Sequence, residues 1–370
     1  MSPLRALARV NVAAIERNVV RLRGELGPGS ELCAVVKADG YGHGALAAAR
    51  AAQAGGATWL AVATANEATA LRAAGVGGPL LVLGVLSPEE LDAALGAHAD
   101  VVAWREAFVD AVAARGGGRV HVKLDTGMGR LGTRDPDEAT RVLRAAAANA
   151  SVELVGAMTH FATADERGDH FFGEQLARFE AWAGPLRERH PGLILHAANS
   201  AALLRDAASH YDLVRAGVAI YGLDPFQVDA AARDLEPALE LASYVAEIKP
   251  CAAGESAGYG RRFVAQDDTV IATVPIGYGD GVSRALTNNA ELLVGGKRFA
   301  LVGTVSMDNV TLDLGPGGGA GVQTGDEALL IAEGLPAEAM AQRLGTINYE
   351  VTCALTARVP RAHHRDGVAL

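Results

Sequence analysis

The sequence has few cysteines, no excess of positive charge, few aromatic residues and no long apolar run, and these shortages exclude several classes of function. Cys33, Cys251 and Cys353 are the three cysteines in 370 residues. They are odd in number, far apart and set in apolar contexts that read as buried thiols, so a reduced, cytosolic compartment is expected. Acidic residues outnumber basic ones, 43 to 33, giving a formal net charge of -10 and a pI near 5.5. That balance argues against a protein that tracks nucleic-acid phosphates and leaves small molecules as the expected partners. No apolar stretch approaches membrane-spanning length, since Arg50 and Gln53 break the longest Ala-rich candidate. Arg5, Arg9, Glu16 and Arg17 occur near the start without an intervening apolar segment, so no signal peptide is expected. His43, His160 and His196 lack ligand spacing with one another or with the cysteines. No metal is expected, and His363-His364 reads as a solvated tail.

What the chain does have is hydrophobic residues, 50% of the total against 21% charged, enough for two domains or for a barrel with an appendage. Asn11 can cap a helix whose apolar positions Val12, Ile15, Val19 and Leu22 recur at helical spacing. Short apolar runs then alternate with Ala-rich helical segments. The runs are Leu32 to Lys37, Trp59 to Thr64, Leu80 to Gly84, Asp100 to Trp104, Val120 to Asp125, Leu154 to His160, Leu193 to Asn199 and Leu213 to Gly222. Eight such alternations are what a (β/α)8 TIM-type barrel requires. From about Pro237 the pattern changes to period-two strands and glycine turns, with strands at Tyr244 to Ile248 and Thr269 to Pro275 and a hairpin at Leu292 to Phe299. A helix over Pro336 to Leu344 and a final strand over Tyr349 to Val359 complete the chain. The expected fold class is therefore α/β, with a barrel over 1–236 followed by a mainly antiparallel β domain over 237–370. Gly315 to Gly321 and Gly116 to Gly118 read as connections.

One segment stands out chemically. In Val35-Val36-Lys37-Ala38-Asp39-Gly40-Tyr41-Gly42-His43-Gly44, an apolar strand delivers a lysine into a glycine-punctuated turn. A lysine at the end of a buried strand needs a partner or a covalent fate such as an imine with a carbonyl cofactor. The glycines allow close backbone approach to a ligand ahead of the helix expected over Ala45 to Ala54, a place suited to phosphate. Other polar residues fall at strand ends as well: Lys123 and Arg130 around one loop, His160, Asn199 with Ser200, and Arg215 before Gly217-Val218. Active sites of such barrels lie at the C-terminal ends of the strands. An imine-forming lysine, a hydroxyl with glycine amides for a phosphate, and a histidine and arginine to hold a ring together suit pyridoxal phosphate.

These segments, in order, resemble the alanine racemases, the fold-type III pyridoxal-phosphate enzymes. The resemblance rests on the Lys37 segment, Lys123 to Arg130, Thr159 to Asp165, His196 to Ser200, Arg215 to Gly222, Gly258-Tyr259-Gly260, Pro275 to Gly281 and Ser306-Met307-Asp308. It implies that Lys37 carries the cofactor and is one of two catalytic bases, and that Tyr259 of the partner subunit in a homodimer is the other. Racemisation removes a proton from one face of the substrate carbon and returns one to the opposite face, so two bases are the minimum. The resemblance assigns cofactor contacts to Tyr41, Arg130, His160, Asn199, Ser200, Arg215, Gly217, Val218 and Tyr349. It assigns substrate contacts to Arg130 and Met307, and an entryway to Asp165, Tyr278 and Arg284. The resemblance further implies that Arg215 faces the pyridine nitrogen and weakens the ring as an electron sink, and that Lys123 matches a position carbamylated in many members. The implied role is interconversion of L- and D-alanine to supply D-alanine for peptidoglycan.

Thr304 and Ser306 depart from the arginine and cysteine frequent in the family. Three alternatives stay open: a broader racemase acting on serine, a fold-type III amino-acid decarboxylase, and a non-catalytic pyridoxal-phosphate carrier. A decarboxylase would present an acidic partner to the ring nitrogen. Tyr259 and the β domain argue against the carrier.

Overall fold

The computed structural model describes residues 4–319 and 321–370, leaving Ala320 of the Gly315 to Gly321 connection outside the described residues. The chain forms two compact units, one of residues 15–226 and 231–236 and the other of residues 4–14, 227–230 and 237–370. The division expected at 236/237 left the first strand with the barrel. That strand, β1 (Leu7–Asn11), instead lies in the sheet of the second unit. Asn11 accepts a hydrogen bond from Ala13 N at 3.1 Å, and the helix Val12–Arg23 follows it.

The barrel strands are β2 (Glu31–Val35), β3 (Trp59–Val62), β4 (Leu80–Val82), β5 (Asp100–Ala103), β6 (Gly118–Lys123), β7 (Val152–Met158), β8 (Ile194–His196) and β9 (Leu213–Ala216). All eight pair in parallel in the order β8-β7-β6-β5-β4-β3-β2-β9. Between β8 and β9 the ladder gives way to single bonds, from Asp212 N to Leu195 O and from Arg215 N to Ala198 O, each 3.0 Å. The runs are continuously apolar because parallel strands in a barrel are covered on both faces. Leu60, Leu80, Leu81 and Leu195 are completely buried, and each such side chain contributes roughly 1.5–3 kcal/mol.

Helix starts follow local chemistry. Thr64 and Ser87 accept from Glu67 N and Glu90 N while those glutamates bond back, closing capping boxes; a cap of this kind contributes about 1 kcal/mol. Pro88 and Pro136 begin their helices at positions where no N–H is required. No helix among the described residues is long and apolar enough to cross a membrane.

The second unit is built on a ten-stranded sheet. Its members besides β1 are β10 (Leu239–Tyr244), β11 (Glu247–Cys251), β14 (Thr269–Val274), β15 (Ala290–Val294), β16 (Lys297–Val302), β17 (Val310–Asp313), β18 (Glu327–Ile331), β19 (Arg361–Arg365) and β20 (Val368–Ala369). A two-stranded ribbon, β12 (Ser256–Ala257) with β13 (Phe263–Val264), stands apart. Every pairing in the large sheet is antiparallel except β1 with β19. The β15–β16 hairpin turns at Gly295 (φ 57) and Gly296 (φ 74), the positive angles that a tight hairpin demands.

Four expectations need correction here. The strand expected over Tyr244 to Ile248 breaks at Val245, where the chain leaves β18 for β14 and starts β11. The segment Tyr349 to Val359 is not a strand: Asn348–Cys353 is a helix burying Asn348, Val351 and Thr352, a spacing of three and four that the β-branched residues conceal. Cys353 on that helix is exposed, whereas Cys33 and Cys251 are buried. His363 and His364 belong to β19, paired with Val10 and Asn11, and do not form a tail.

Candidate active site

The backbone after β2 turns the wrong way for an L-peptide. Ala38 (φ 52, ψ 51), Asp39 (φ 52, ψ 47), Gly40 (φ 62, ψ 44) and Tyr41 (φ 53) form a left-handed turn, a conformation that costs about 1–2 kcal/mol for each residue bearing a side chain. Specific bonds hold it. Gly40 N donates to Val36 O at 3.0 Å, and Gly42 N to Ala38 O at 3.0 Å. Glu67 Oε1 accepts from Ala38 N at 2.6 Å while Oε2 accepts from Ala63 N and Thr64 N. Asp39 Oδ1 accepts from Ala45 N at 2.9 Å and so fastens the turn to the helix Ala45–Ala54. Strain of this kind, maintained by surrounding bonds, is characteristic of functional segments. The turn carries Lys37, whose Nζ stands 6.0 Å from the centre of the Tyr41 ring.

Tyr41 is buried and tilts against Tyr221, 5.2 Å between ring centres, and Tyr221 donates to Val35 O at 3.1 Å. Ser200 Oγ accepts from Gly217 N at 2.9 Å and from Ala219 N at 3.3 Å. A Cβ at Gly217 would lie 2.5 Å from the Tyr41 hydroxyl, so only glycine permits that approach. Tyr41, Ser200, Gly217 and Val218 are thereby brought together. Asn199 adjoins them, and its side-chain oxygen caps the helix Ser200–Arg205 by accepting from Ala202 N at 3.0 Å.

Beside this group lies a concentration of positive charge. Arg215, 3% exposed, donates to Thr159 O at 2.8 Å and to Ala197 O at 3.0 Å, and it meets His196 Nδ1 at 2.9 Å and His160 Nδ1 at 3.2 Å. All of these partners are uncharged acceptors. Burial pulls the guanidinium down to about 10, with the Cys33 thiol opposing, so it remains charged at neutral pH. Burial, followed by the charges of Arg215 and Arg130, brings Lys123 down to about 8 against the opposing pull of Asp125. His160 lies well below its ordinary value because of burial and then the charges of Arg215, Lys123, Arg130 and Lys37. Four cationic side chains thus act on one neutral imidazole. Arg130 itself is exposed at the end of a loop that Asp125 shapes by accepting from Gly127 N and Gly129 N. Asp165 is exposed on a loop whose carbonyls at Thr163, Ala164, Glu166 and Asp169 are gathered by Arg205.

The remaining candidates belong to the β unit. Tyr259 is 74% exposed in a single turn, Tyr259–Arg261, and its carbonyl accepts from Thr304 Oγ1 at 2.6 Å. Tyr278 N donates to Ser306 O at 3.0 Å and Gly279 N to Met307 O at 2.9 Å. One loop, 304–307, therefore supports three exposed side chains, Tyr259, Tyr278 and Met307, next to a cavity of about 450 Å³ lined by Tyr259, Thr304 and Ser306. Arg284 is exposed on a short turn, and Tyr349 is half-buried in Asn348–Cys353.

Sequence reading missed Glu67, Arg205 and the buried pair Asp100 and His121. His121 alone left a signal, since it precedes Lys123 by two positions and shares its face of β6.

Residues 10–225 match the alanine racemase N-terminal domain and residues 238–363 match the alanine racemase C-terminal domain. The chain belongs to the alanine racemase family. It is 40% identical over 364 residues to the alanine racemase of Desulforamulus reducens, covering 96% of this chain and 98% of that protein. Identity to alanine racemase 1 of Bacillus subtilis is 38%, over 97% and 93% of the two chains. The solved alanine racemase from E. faecalis superimposes with a TM-score of 0.90 at 36% identity, covering 97% of this chain and 98% of that one. The biosynthetic alanine racemase from Pseudomonas aeruginosa does so with 0.89 at 33%, covering 99% and 100%. A nearly closed parallel barrel followed by a mostly antiparallel β domain is the alanine racemase architecture, and the family's reaction class is that of the isomerases.

Proposed function

We propose that this chain is a pyridoxal-phosphate-dependent racemase interconverting L- and D-alanine, with Lys37 of one protomer and Tyr259 of the partner subunit as its two bases. The observation that carries this reading is the buried Arg215, 3.2 Å from His160, in a site where the charges of Lys123, Arg130 and Lys37 also disfavour protonation of that imidazole. Such a site calls for anions, and pyridoxal phosphate with an amino-acid substrate brings a phosphate, a phenolate and a carboxylate. The Gly217 backbone against the Tyr41 hydroxyl, with Ser200 behind it, suits the phosphate. Asn199 supports that group from its helix cap, and Tyr349 is proposed as a further phosphate donor. When bound, the cofactor withdraws electrons from the substrate Cα and makes its proton removable.

The roles of the side chains follow from their chemistry. Lys37 would hold the cofactor at its aldehyde, with loss of water, and its free amine would take or return a proton on its own side of the Cα. Tyr259 serves the opposite side. Arg215, which has only donors, would face the pyridine nitrogen of the bound cofactor and keep that atom unprotonated. Neutral His160 would pack against the ring. Arg130 holds the substrate carboxylate, helped by Met307 of the partner subunit, and a carbamate on Lys123 orients Arg130 through a charge-assisted pair. Asp165, Tyr278 and Arg284 line the approach.

A homodimer is supported by the exposed Tyr259, Tyr278 and Met307 on and around the 304–307 loop, since isolated soluble surfaces rarely gather such side chains without a partner. Action in the cytoplasm as the source of D-alanine for peptidoglycan accords with this reading. The test is a visible absorption spectrum of the purified protein followed by a chiral assay over a panel of L-amino acids. Yellow protein that racemises alanine fastest is expected. Preference for serine would redirect the assignment, carbon dioxide release would favour a decarboxylase, and colourless protein that takes up no cofactor would defeat it.

A further inference from the structure

Inside the barrel, Arg215 is one end of a buried line of side chains. Its Nη1 lies 2.9 Å from His196 Nδ1, His196 Nε2 lies 2.9 Å from His121 Nδ1, and His121 Nε2 lies 3.0 Å from Asp100 Oδ2. His121 and His196 are completely buried and Asp100 is 1% exposed. The second oxygen of Asp100 accepts from Arg119 Nε at 2.9 Å, and Arg119 reaches Glu153 near the surface. Asp100 opens β5, at the end of the barrel opposite the strand C-termini that carry the candidate site.

Donor chemistry fixes every proton along this line. A guanidinium only donates, so His196 Nδ1 must accept and its proton must sit on Nε2. That N–H needs an acceptor, which makes His121 Nδ1 the lone-pair nitrogen and puts the His121 proton on Nε2. The carboxylate, which only accepts, receives it. Both rings are neutral, and every N–H points from Arg215 toward Asp100. If either ring changed tautomer, two donors or two lone pairs would face each other across a direct, completely buried contact.

The local structure is adapted to this line. The register of β6 against β7 shifts between Val120 and His121, where β7 carries one extra residue, Val155. Opposite His121 stands Gly156, where a Cβ would fall 2.4 Å from His121 Nδ1. Trp59 closes the other side, edge-on at 5.7 Å between ring centres.

We propose that Asp100 is a positioning residue for Arg215, acting across the barrel by fixing the tautomers of His121 and His196 so that the guanidinium keeps one orientation. Its consequence for catalysis rests on the reading that Arg215 faces the cofactor's pyridine nitrogen. The tautomers themselves do not depend on that reading.

The experiment is nuclear magnetic resonance of protein labelled with 15N-histidine, with and without pyridoxal phosphate, alongside steady-state kinetics of Asp100→Ala and Arg119→Leu. Wild-type His121 and His196 are expected as neutral Nε2–H rings in both forms. In Asp100→Ala the His196 resonances should move toward mixed tautomers and kcat should fall about tenfold, equivalent to about 1.4 kcal/mol, with KM within twofold. Arg119→Leu removes the ion pair but keeps the carboxylate, and should leave both readouts within twofold. An Nδ1–H ring at His196 in the wild type overturns the proposal. So does an Asp100→Ala variant that melts earlier while its His196 spectrum and kcat stay unchanged. Should that variant fail to fold, the wild-type spectrum still decides. Nε2–H rings in a protein that neither binds pyridoxal phosphate nor racemises alanine would uphold the tautomers and defeat the reading of the site.

Discussion

Glu67 and Ala38 are joined by a 2.6 Å hydrogen bond from the Ala38 N–H to the carboxylate, a side-chain bond that reaches into the left-handed turn from another element of the barrel. Its acceptor is charged, a class of bond that contributes roughly 1.5–3 kcal/mol. Glu67→Ala should therefore let the turn relax toward ordinary backbone angles and displace Lys37. The expected outcome is a cofactor dissociation constant about tenfold higher and a lower melting temperature. Glu67→Gln, which keeps one acceptor, should lie between. Titration with pyridoxal phosphate followed by absorbance and by thermal melting checks both.

The barrel was legible in the sequence because each of its strands is covered on both faces, which leaves apolar runs that no surface helix imitates. The part played by β1 was not, because its partners Leu239 to Ala242 and Arg361 to His364 lie far along the chain and nothing local marks the pairing. Asn348–Cys353 was misread because Val351 and Thr352 favour strands, while burial of one helical face prevailed over that preference. Lys37 and Arg215 stood out as cationic residues at the ends of apolar strands, whereas Tyr259 was singled out only by the resemblance to the family. Glu67, Arg205 and Asp100 were not legible, since each acts by bonding to backbone or rings that only the fold brings near.

Lys123 should respond to both pH and carbon dioxide. With its amine at about 8, a large fraction is unprotonated in mild alkali and able to react with carbon dioxide, forming a nitrogen–carbon bond and releasing a proton. Carbon-13 resonance under labelled bicarbonate should reveal a carbamate at pH 8.5 that is absent from Lys123→Met and fades at pH 6. Without bicarbonate the sign for stability is the reverse of an ordinary ion pair. Between about 8 and the ordinary value of 10.5 the unfolded chain binds more protons at Lys123 than the folded one. Stability relative to Lys123→Met should therefore rise with pH across that window, as denaturant melts at successive pH values can test.

Acid should weaken the β unit through Asp280. Burial opposes ionisation of this carboxylate, but the Arg5 hydrogen bonds at 2.6 and 2.8 Å, the Gly277 N–H and the charges of Arg5 and Arg358 outweigh it and hold the group below its ordinary 3.8. The stabilisation is complete above that ordinary value and disappears as pH falls through the folded one. Asp280→Asn should lower stability at pH 7 by roughly 1–2 kcal/mol, a charge-assisted hydrogen bond discounted because Arg5 and Arg358 are part-exposed, and should differ less from wild type near pH 2. Urea denaturation at both pH values measures the difference.

The Thr304 hydroxyl donates to the Tyr259 carbonyl at 2.6 Å. Thr304→Val removes the donor at nearly constant volume. A lost neutral bond of about 1 kcal/mol should reduce kcat by about fivefold while leaving cofactor binding intact. Thr304→Ser, which keeps the hydroxyl, should restore most of the rate. A loss in Thr304→Ser with none in Thr304→Val would show that packing of the methyl group, not the bond to Tyr259, is what matters.

Replacing Tyr259 separates the two bases. Phenylalanine keeps the ring on its exposed turn and removes the only group proposed to exchange a proton on that side of the substrate. Loss of a general acid–base group typically costs 10²–10⁴-fold, so racemisation in both directions should fall by at least about a hundredfold. Cofactor loading should stay within twofold, because the Lys37 turn and the Tyr41, Ser200 and Gly217 cluster belong to the barrel unit. Heavy water then tells the sides apart. With Lys37 intact, one enantiomer should still exchange its Cα hydrogen for deuterium without inverting, and the other should do neither. Loss of exchange from both enantiomers would mean that Tyr259 does more than serve one face. Undiminished racemisation would mean that it serves neither.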